Sequence, residues 1–381
     1  MRYPSISPDG RTIAFTFKGD IYRVPSTGGT AVALTSHIAN DYMPVWSHDG
    51  KTIAFASDRH GNYDIYTMSA DGGEAKRLTF HSADELPVSF SPDDKAVLFT
   101  AARQDAASNR QYPNASLTEL YQVPAAGGRP TQILTTPAEL AQTSSNGQFI
   151  IYQDRKGSEN EWRKHHVSSI ARDIWIYDRK AGTHRKLTTF AGEDRNPVFA
   201  PDEKSFYYLS EESGSFNVHK MSLDGGKSEQ LTSFKGVPVR FLSIAKSGTL
   251  AFGFDGQIYT MQPSGSPQKV NVAISADNRT NNERILSINK GAQDLVVSPT
   301  GKEVAFVYRG DVFVNSVDGG GTKRITSTPE NETGVVFSPD GKALIYASER
   351  AGKWGIYEAR RARESEPYFF ASTVVKESPV V

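Results

Sequence analysis

The sequence predicts an all-β protein, a β-propeller of four-stranded antiparallel blades in which a six-bladed ring is followed by the start of a second propeller. Three observations predict it. A set of turn and strand motifs recurs along the whole chain, each copy holds four short strands, and no segment longer than a turn or two has helical periodicity.

The first copy reads Ser7-Pro8-Asp9-Gly10, Thr12-Ile13-Ala14-Phe15, Asp20-Ile21-Tyr22, Gly28-Gly29 and Leu34-Thr35. The second gives Ser47-His48-Asp49-Gly50, Ile53-Ala54-Phe55, Asp64-Ile65-Tyr66, Asp71-Gly72-Gly73 and Leu78-Thr79. Later copies open at Ser91, Ser144, Ala200, Ala245, Ser298 and Ser338, about 40 to 56 residues apart. The fourth is degenerate at Ser145-Asn146-Gly147 and recovers at Asp173-Ile174-Trp175; the sixth is the weakest.

Each element has a physical reason. In Ser-Pro-Asp-Gly, Pro presets φ, Asp bonds nearby backbone and Gly supplies a positive φ. Ile-Ala-Phe and Ile-Tyr place β-branched and aromatic residues at the period of a half-buried strand. Asp-Gly-Gly between two such runs is a hairpin turn. One four-stranded sheet cannot bury both faces alone, so neighbouring copies stack around an axis.

The long gaps fix the domain reading. Arg103 to Ser116 and Lys156 to Ala171 are insertions between strands of the third and fourth copies. A third long gap follows the last strand of the sixth copy and is polar and turn-rich. The chain therefore divides into a six-bladed propeller over 1–274, a linker over 275–289, and the first blades of a second, truncated propeller over 290–381. A single eight-bladed ring is the alternative, and it ignores that linker. Because the sixth copy supplies its own last strand, the first ring is expected to close without exchanging a strand between its ends. The abrupt start and mid-pattern ending read as a piece of a longer chain.

Composition narrows the function. Lys plus Arg and Asp plus Glu both total 43, which argues against the basic stripe of a nucleic-acid binder. With no cysteine, thiolate catalysis, disulfides and cysteine metal sites are excluded. No apolar run approaches the ~18 residues of a membrane helix, so no membrane insertion is expected. No Gly-x-Ser-x-Gly, P-loop or His-Glu-x-x-His motif is present. The Asp-Gly loops are a blade apart and do not make the clustered oxygen cage of a calcium site. No catalytic residue, metal or cofactor is assigned.

One segment departs from the repeat. Trp162, Arg163, Lys164, His165 and His166 lie together in the fourth copy, with Arg172 before the next strand. Cationic and imidazole groups beside an indole suit capture of a carboxylate or a peptide terminus; a solvated charged hairpin is the competing reading. Arg103 and Arg110, in the other insertion, join the patch if the two loops point the same way.

The repeat resembles TolB-type and tricorn-type propeller repeats, and the tricorn-like proteases match it better along essentially the whole chain. Glu161-Trp162-Arg163-Lys164 leading into Asp173-Ile174-Trp175-Ile176, the six-copy block with its linker, and Val297 through Phe306 carry that resemblance. The family's basic stretch commonly continues into a glycine pair, whereas Val167-Ser168-Ser169 follow here. The resemblance implies a non-catalytic propeller region of a serine-type peptidase, binding or gating peptides or unfolded segments for downstream PDZ and protease domains. It also implies a periplasmic or extracellular location, with the cytoplasm as the alternative. A TolB-like protein-binding scaffold is the runner-up, and the propeller of a prolyl-oligopeptidase-type hydrolase comes third.

Overall fold

The structure, a computed structural model, describes residues 1–103, 117–158, 160, 163–276 and 284–380. It is all-β apart from one 3-10 turn at Arg350–Gly352, and it comprises two compact units, Met1–Asp277 and Asn278–Val381.

The recurring motifs are the turns and clamps of the blades. In the first turn Ser7 Oγ donates to Asp9 Oδ1 at 2.5 Å, the Arg11 amide donates to the same oxygen at 3.0 Å, and Gly10 N–H closes on the Ser7 carbonyl at 2.9 Å. The same arrangement recurs at Ser47–Asp49, Ser91–Asp93 and Ser338–Asp340, and Asn146 replaces the Asp at Ser144. The Leu-Thr motif has a different task. Thr35 Oγ1 accepts the Ile21 amide at 2.9 Å and donates to Asp20 Oδ1, tying the fourth strand to the start of the third. Thr79, Thr188, Thr232 and Thr326 accept the corresponding amides of Ile65, Ile174, Val218 and Val312.

Within the first unit six four-stranded blades follow in chain order. Their innermost strands begin with Arg2–Ile6, Asp41–Trp46, Glu85–Phe90, the second half of Thr131–Thr143, Asp194–Phe199 and Arg240–Ile244. The 13-residue strand Thr131–Thr143 is shared: its first half is the outer edge of blade three and its second half the inner edge of blade four. Six hydrophobic clusters fill the gaps between neighbouring blades. Strand alternation explains this. In blade two Ile53 and Phe55 pack against blade one, while Ala54 faces blade three. The sixth blade meets the first through Ala251 and Ile258 against Ile6, Ile13 and Phe15, which closes the ring.

Closure differs from the expectation in one respect. After blade six the chain crosses to blade one, where Val272–Ile274 pairs in parallel with Gly29–Ala33 as a fifth, outermost strand. Gly28 takes φ +94° here, and a side chain on it would come within 2.7 Å of the Asn271 carbonyl.

The second unit holds two four-stranded sheets, with inner strands Gln293–Val297 and Glu332–Phe337, around one core that includes Ala305, Val312, Leu344, Tyr346 and Phe369.

Candidate functional site

A cavity of about 980 Å³ runs along the axis of the first unit, lined by the innermost strand of every blade. These strands are bulged at a common point. Tyr3, Met43, Leu140, Asn196 and Phe241 have positive φ between 48° and 61°, and register slips in the adjacent ladders. A bulge turns a side chain that would otherwise lie in the pleat, and here the turned residues line the cavity. One wall is aromatic: the Tyr3 ring lies 4.3 Å from Phe241 and 5.5 Å from Tyr42, and Tyr42 lies 4.6 Å from Tyr63. The opposite wall carries amides and Glu139. Asn196 bridges blades five and six through the Leu242 backbone, and Gln153 joins the Asn196 amide to Glu139.

Arg103 and Lys156, where the two insertions start, lie at the end of the ring where the innermost strands begin, because each follows the second strand of an antiparallel blade. Arg110 and Trp162 lie outside the described residues. The remaining predicted residues fall into three groups. Arg103 is held by Glu85 and stacks over Phe99 and Tyr121 at 5.5 and 5.6 Å. Arg163, Lys164 and His165 are exposed. Lys164 Nζ donates to the Gly236 carbonyl, and the His165 amide donates to Glu211 Oε1 at 2.9 Å. His166 and Arg172 are buried and belong to an ion-pair network that runs from the loop to the cavity wall.

Sequence reasoning did not find that network's acids. His166 Nδ1 lies 2.7 Å from Glu193 Oε1, and Arg172 sits between Glu193 and Glu139, 3.3 Å from the latter. Arg195 holds Glu193 at 2.9 Å and Arg155 holds Glu139 at 2.7 Å. Burial alone would raise Glu193, yet the hydrogen bond and charge of Arg195, with His166 and Arg172, keep it below its ordinary value. Glu139 is lowered likewise, Arg172 and Arg155 outweighing its burial. Both stay ionised at neutral pH. The carboxylate that recurs at the start of the innermost strand, as Asp41, Glu85 and Asp194, lies one position from Glu193, and Glu139 lies one position past Ala138, so no repeat signal marked either acid.

Ser168 Oγ lies 2.7 Å from His166 Nε2, so serine, histidine and glutamate stand in line. Two features oppose a nucleophilic role. Ser168 Oγ already accepts the Ile170 amide in a tight turn, and Glu193 is shared with two guanidiniums. The arrangement pins the loop. Among the described residues, no three His, Asp or Glu side chains converge as metal ligands.

Residues 1–267 match the family described as the tricorn protease N-terminal beta propeller domain, and residues 268–366 match the dipeptidyl peptidase IV N-terminal region. A Bacillus subtilis (strain 168) protein described as uncharacterized peptidase YuxL is 25% identical over 185 residues, 47% of this chain and 25% of its own length. The tricorn protease of Thermoplasma acidophilum is 27% identical over 193 residues, 50% of this chain and 17% of its own length. The matched parts thus span a quarter or less of these relatives. The crystal structure of the tricorn protease shares the fold, with TM-score 0.67 at 22% identity, covering 94% of this chain and 34% of that one.

Proposed function

The chain belongs to the tricorn protease N-terminal β-propeller family, and from that premise we propose that it is the non-catalytic propeller region of a tricorn-like serine protease. In this reading it binds or gates peptides for a protease core carried elsewhere in the protein, with PDZ and protease domains as its partners in the same chain. One observation carries the reading: a cavity along the ring axis has an aromatic wall facing an amide wall. Aromatic faces suit apolar side chains and amides suit a peptide backbone. Arg163 and Lys164 are the exposed cations of the loop and the groups proposed to meet a peptide carboxylate, while His166 and Arg172 hold the loop to the wall.

The test is peptide binding followed by fluorescence anisotropy. Arg163→Ala with Lys164→Ala is expected to weaken binding of a free-carboxylate peptide about tenfold, the loss of one charge-assisted contact, and to leave the amidated peptide unchanged. Equal loss for both peptides sinks carboxylate capture. No binding of either by the unsubstituted chain overturns the peptide reading itself.

A further inference from the structure

Two blades of the ring and one sheet of the second unit share an internal ion pair, and blade five carries its carboxylate without its cation. In blades two and three and in the last sheet of the second unit, the first residue of the innermost strand is a buried carboxylate: Asp41, Glu85 and Glu332. Opposite them in the ladder stand Ser57, Ala101 and Ser348, and two residues further on the chain carries Arg59, Arg103 and Arg350. Arg59 reaches Asp41 at 2.9 Å, Arg103 bonds Glu85, and Arg350 lies 3.7 Å from Glu332. Each guanidinium also lies over a ring, Arg59 at 5.2 Å from Tyr66, Arg103 at 5.5 Å from Phe99 and Arg350 at 4.7 Å from Tyr357. Blade four keeps the scheme by rearrangement. Ala138 takes the carboxylate's place, and Lys156 at the arginine's place meets Asp154 at 3.1 Å.

Blade five has the carboxylate without the cation. Asp194 begins its innermost strand, pairs with Ser210 in the ladder and is 1% exposed. The residue two past Ser210 is Glu212, so the expected positive charge is replaced by a negative one. Neither Asp194 oxygen has a hydrogen-bond partner at normal geometry, although the Thr188 and Ser210 hydroxyls stand close enough to ease a charge in part. The other groups around it give no relief. Asp173 and Glu212 repel an anion here, and the Tyr208 phenol is itself raised in part by Asp194. Lys156 and Lys186 are directed to Asp173, and the flanking Glu193 and Arg195 bond each other.

We infer that Asp194 is a proton-operated lock of the fifth blade: buried without a cation, it is accommodated in the closed ring when it carries its proton, and its ionisation loosens this blade because Glu212 stands where blades two and three supply an arginine. The inference does not depend on what the cavity binds. Burial, then the repulsion of Asp173 and Glu212, push Asp194 up to about 7, against the partial relief of Ser210 and Thr188. A carboxyl that holds its proton when folded and releases it at its ordinary value when unfolded costs nothing at low pH. The penalty grows as pH rises from about 4 to about 7 and is complete above that. Burying an ion without a partner is the physical reason.

The experiment is hydrogen exchange of the full chain at pH 5 and pH 8, followed by mass spectrometry on the blade-five strands Ser205–Ser210 and Asn217–Ser222. After correction for intrinsic rates, opening of these strands is expected to rise on the order of a hundredfold between the two pH values in the native chain. Asp194→Asn should abolish most of that rise. Glu212→Arg should restore protection at pH 8 and change little at pH 5. Native pH dependence in the Asp194→Asn chain overturns the inference. Should that variant fail to fold, Glu212→Arg decides alone, because no gain at pH 8 rules out the missing cation as the cause.

Discussion

Ile53, Ala54 and Phe55 in the second blade are fully buried, yet at the same points of the repeat in the second unit Val304 and Phe306 are half-buried and only Ala305 is fully enclosed. The residues are of similar kind and the hairpins are alike, so local structure is not the difference. In the closed ring the Ile and Phe positions meet the preceding blade and the Ala position meets the following one. In the two-sheet unit Ala305 has its neighbour, while the opposite face of that sheet is uncovered. The last sheet shows the complement: Leu344 and Tyr346 are buried toward the shared core, and Val336, Trp354 and Ile356 are exposed. The comparison teaches that a blade is stable by adjacency. Each sheet carries two apolar faces, and the free energy of burying them is realised only when both neighbours are present.

The sharpest way to break the comparison is to separate the regions. Residues 1–277 alone are expected to unfold in one cooperative transition, whereas residues 278–381 alone are expected to self-associate or unfold without cooperativity. Chemical unfolding with sedimentation of each piece checks this, and a well-behaved monomer from 278–381 would refute adjacency as the controlling term. Next in size are matched truncations. Phe55→Ala in the ring should cost about 3–5 kcal/mol, the usual range for a buried phenylalanine. Phe306→Ala should cost less than half of that, because part of its surface is already in water. Equal losses in urea midpoints would mean that burial does not separate the two sites. The smallest effect concerns the seam, which the second unit lacks. Gly28→Ala places a side chain against the Asn271 carbonyl at a positive φ and should cost about 1–3 kcal/mol. The expected sign in hydrogen exchange is faster opening confined to Gly29–Ala33 and Val272–Ile274.

Much of the fold was legible because its rules are local. Ser-Pro-Asp-Gly and Asp-Gly-Gly report backbone conformations that short-range hydrogen bonds enforce, and Ser7, Asp9 and Gly10 satisfy one another within four residues. The Ile-Ala-Phe period announced two buried faces. The parallel seam strand Val272–Ile274 was not legible, since its partner is some 240 residues away and three residues carry no period. The site was legible only in its outline. The basic run around Arg163 and Lys164 stood out as composition, but the sequence could not tell that His166 and Arg172 turn inward while Lys164 and His165 stay exposed. Of the acids that decide that division, Glu193 sits 27 residues from His166 and Glu139 sits 33 residues from Arg172.

By itself, then, the sequence determined the blade: its turns, its strand order and the alternation that gives it two apolar faces, all set by interactions within about twenty residues. The tertiary structure alone decided which faces are covered, where the ring seals, and which charges are paired. Asp41 and Asp194 occupy the same place in the same repeat, yet Arg59 neutralises the first and Glu212 stands near the second. The charge state of a buried carboxylate is set by what packs within a few ångströms of it, and that is a property of the assembled ring.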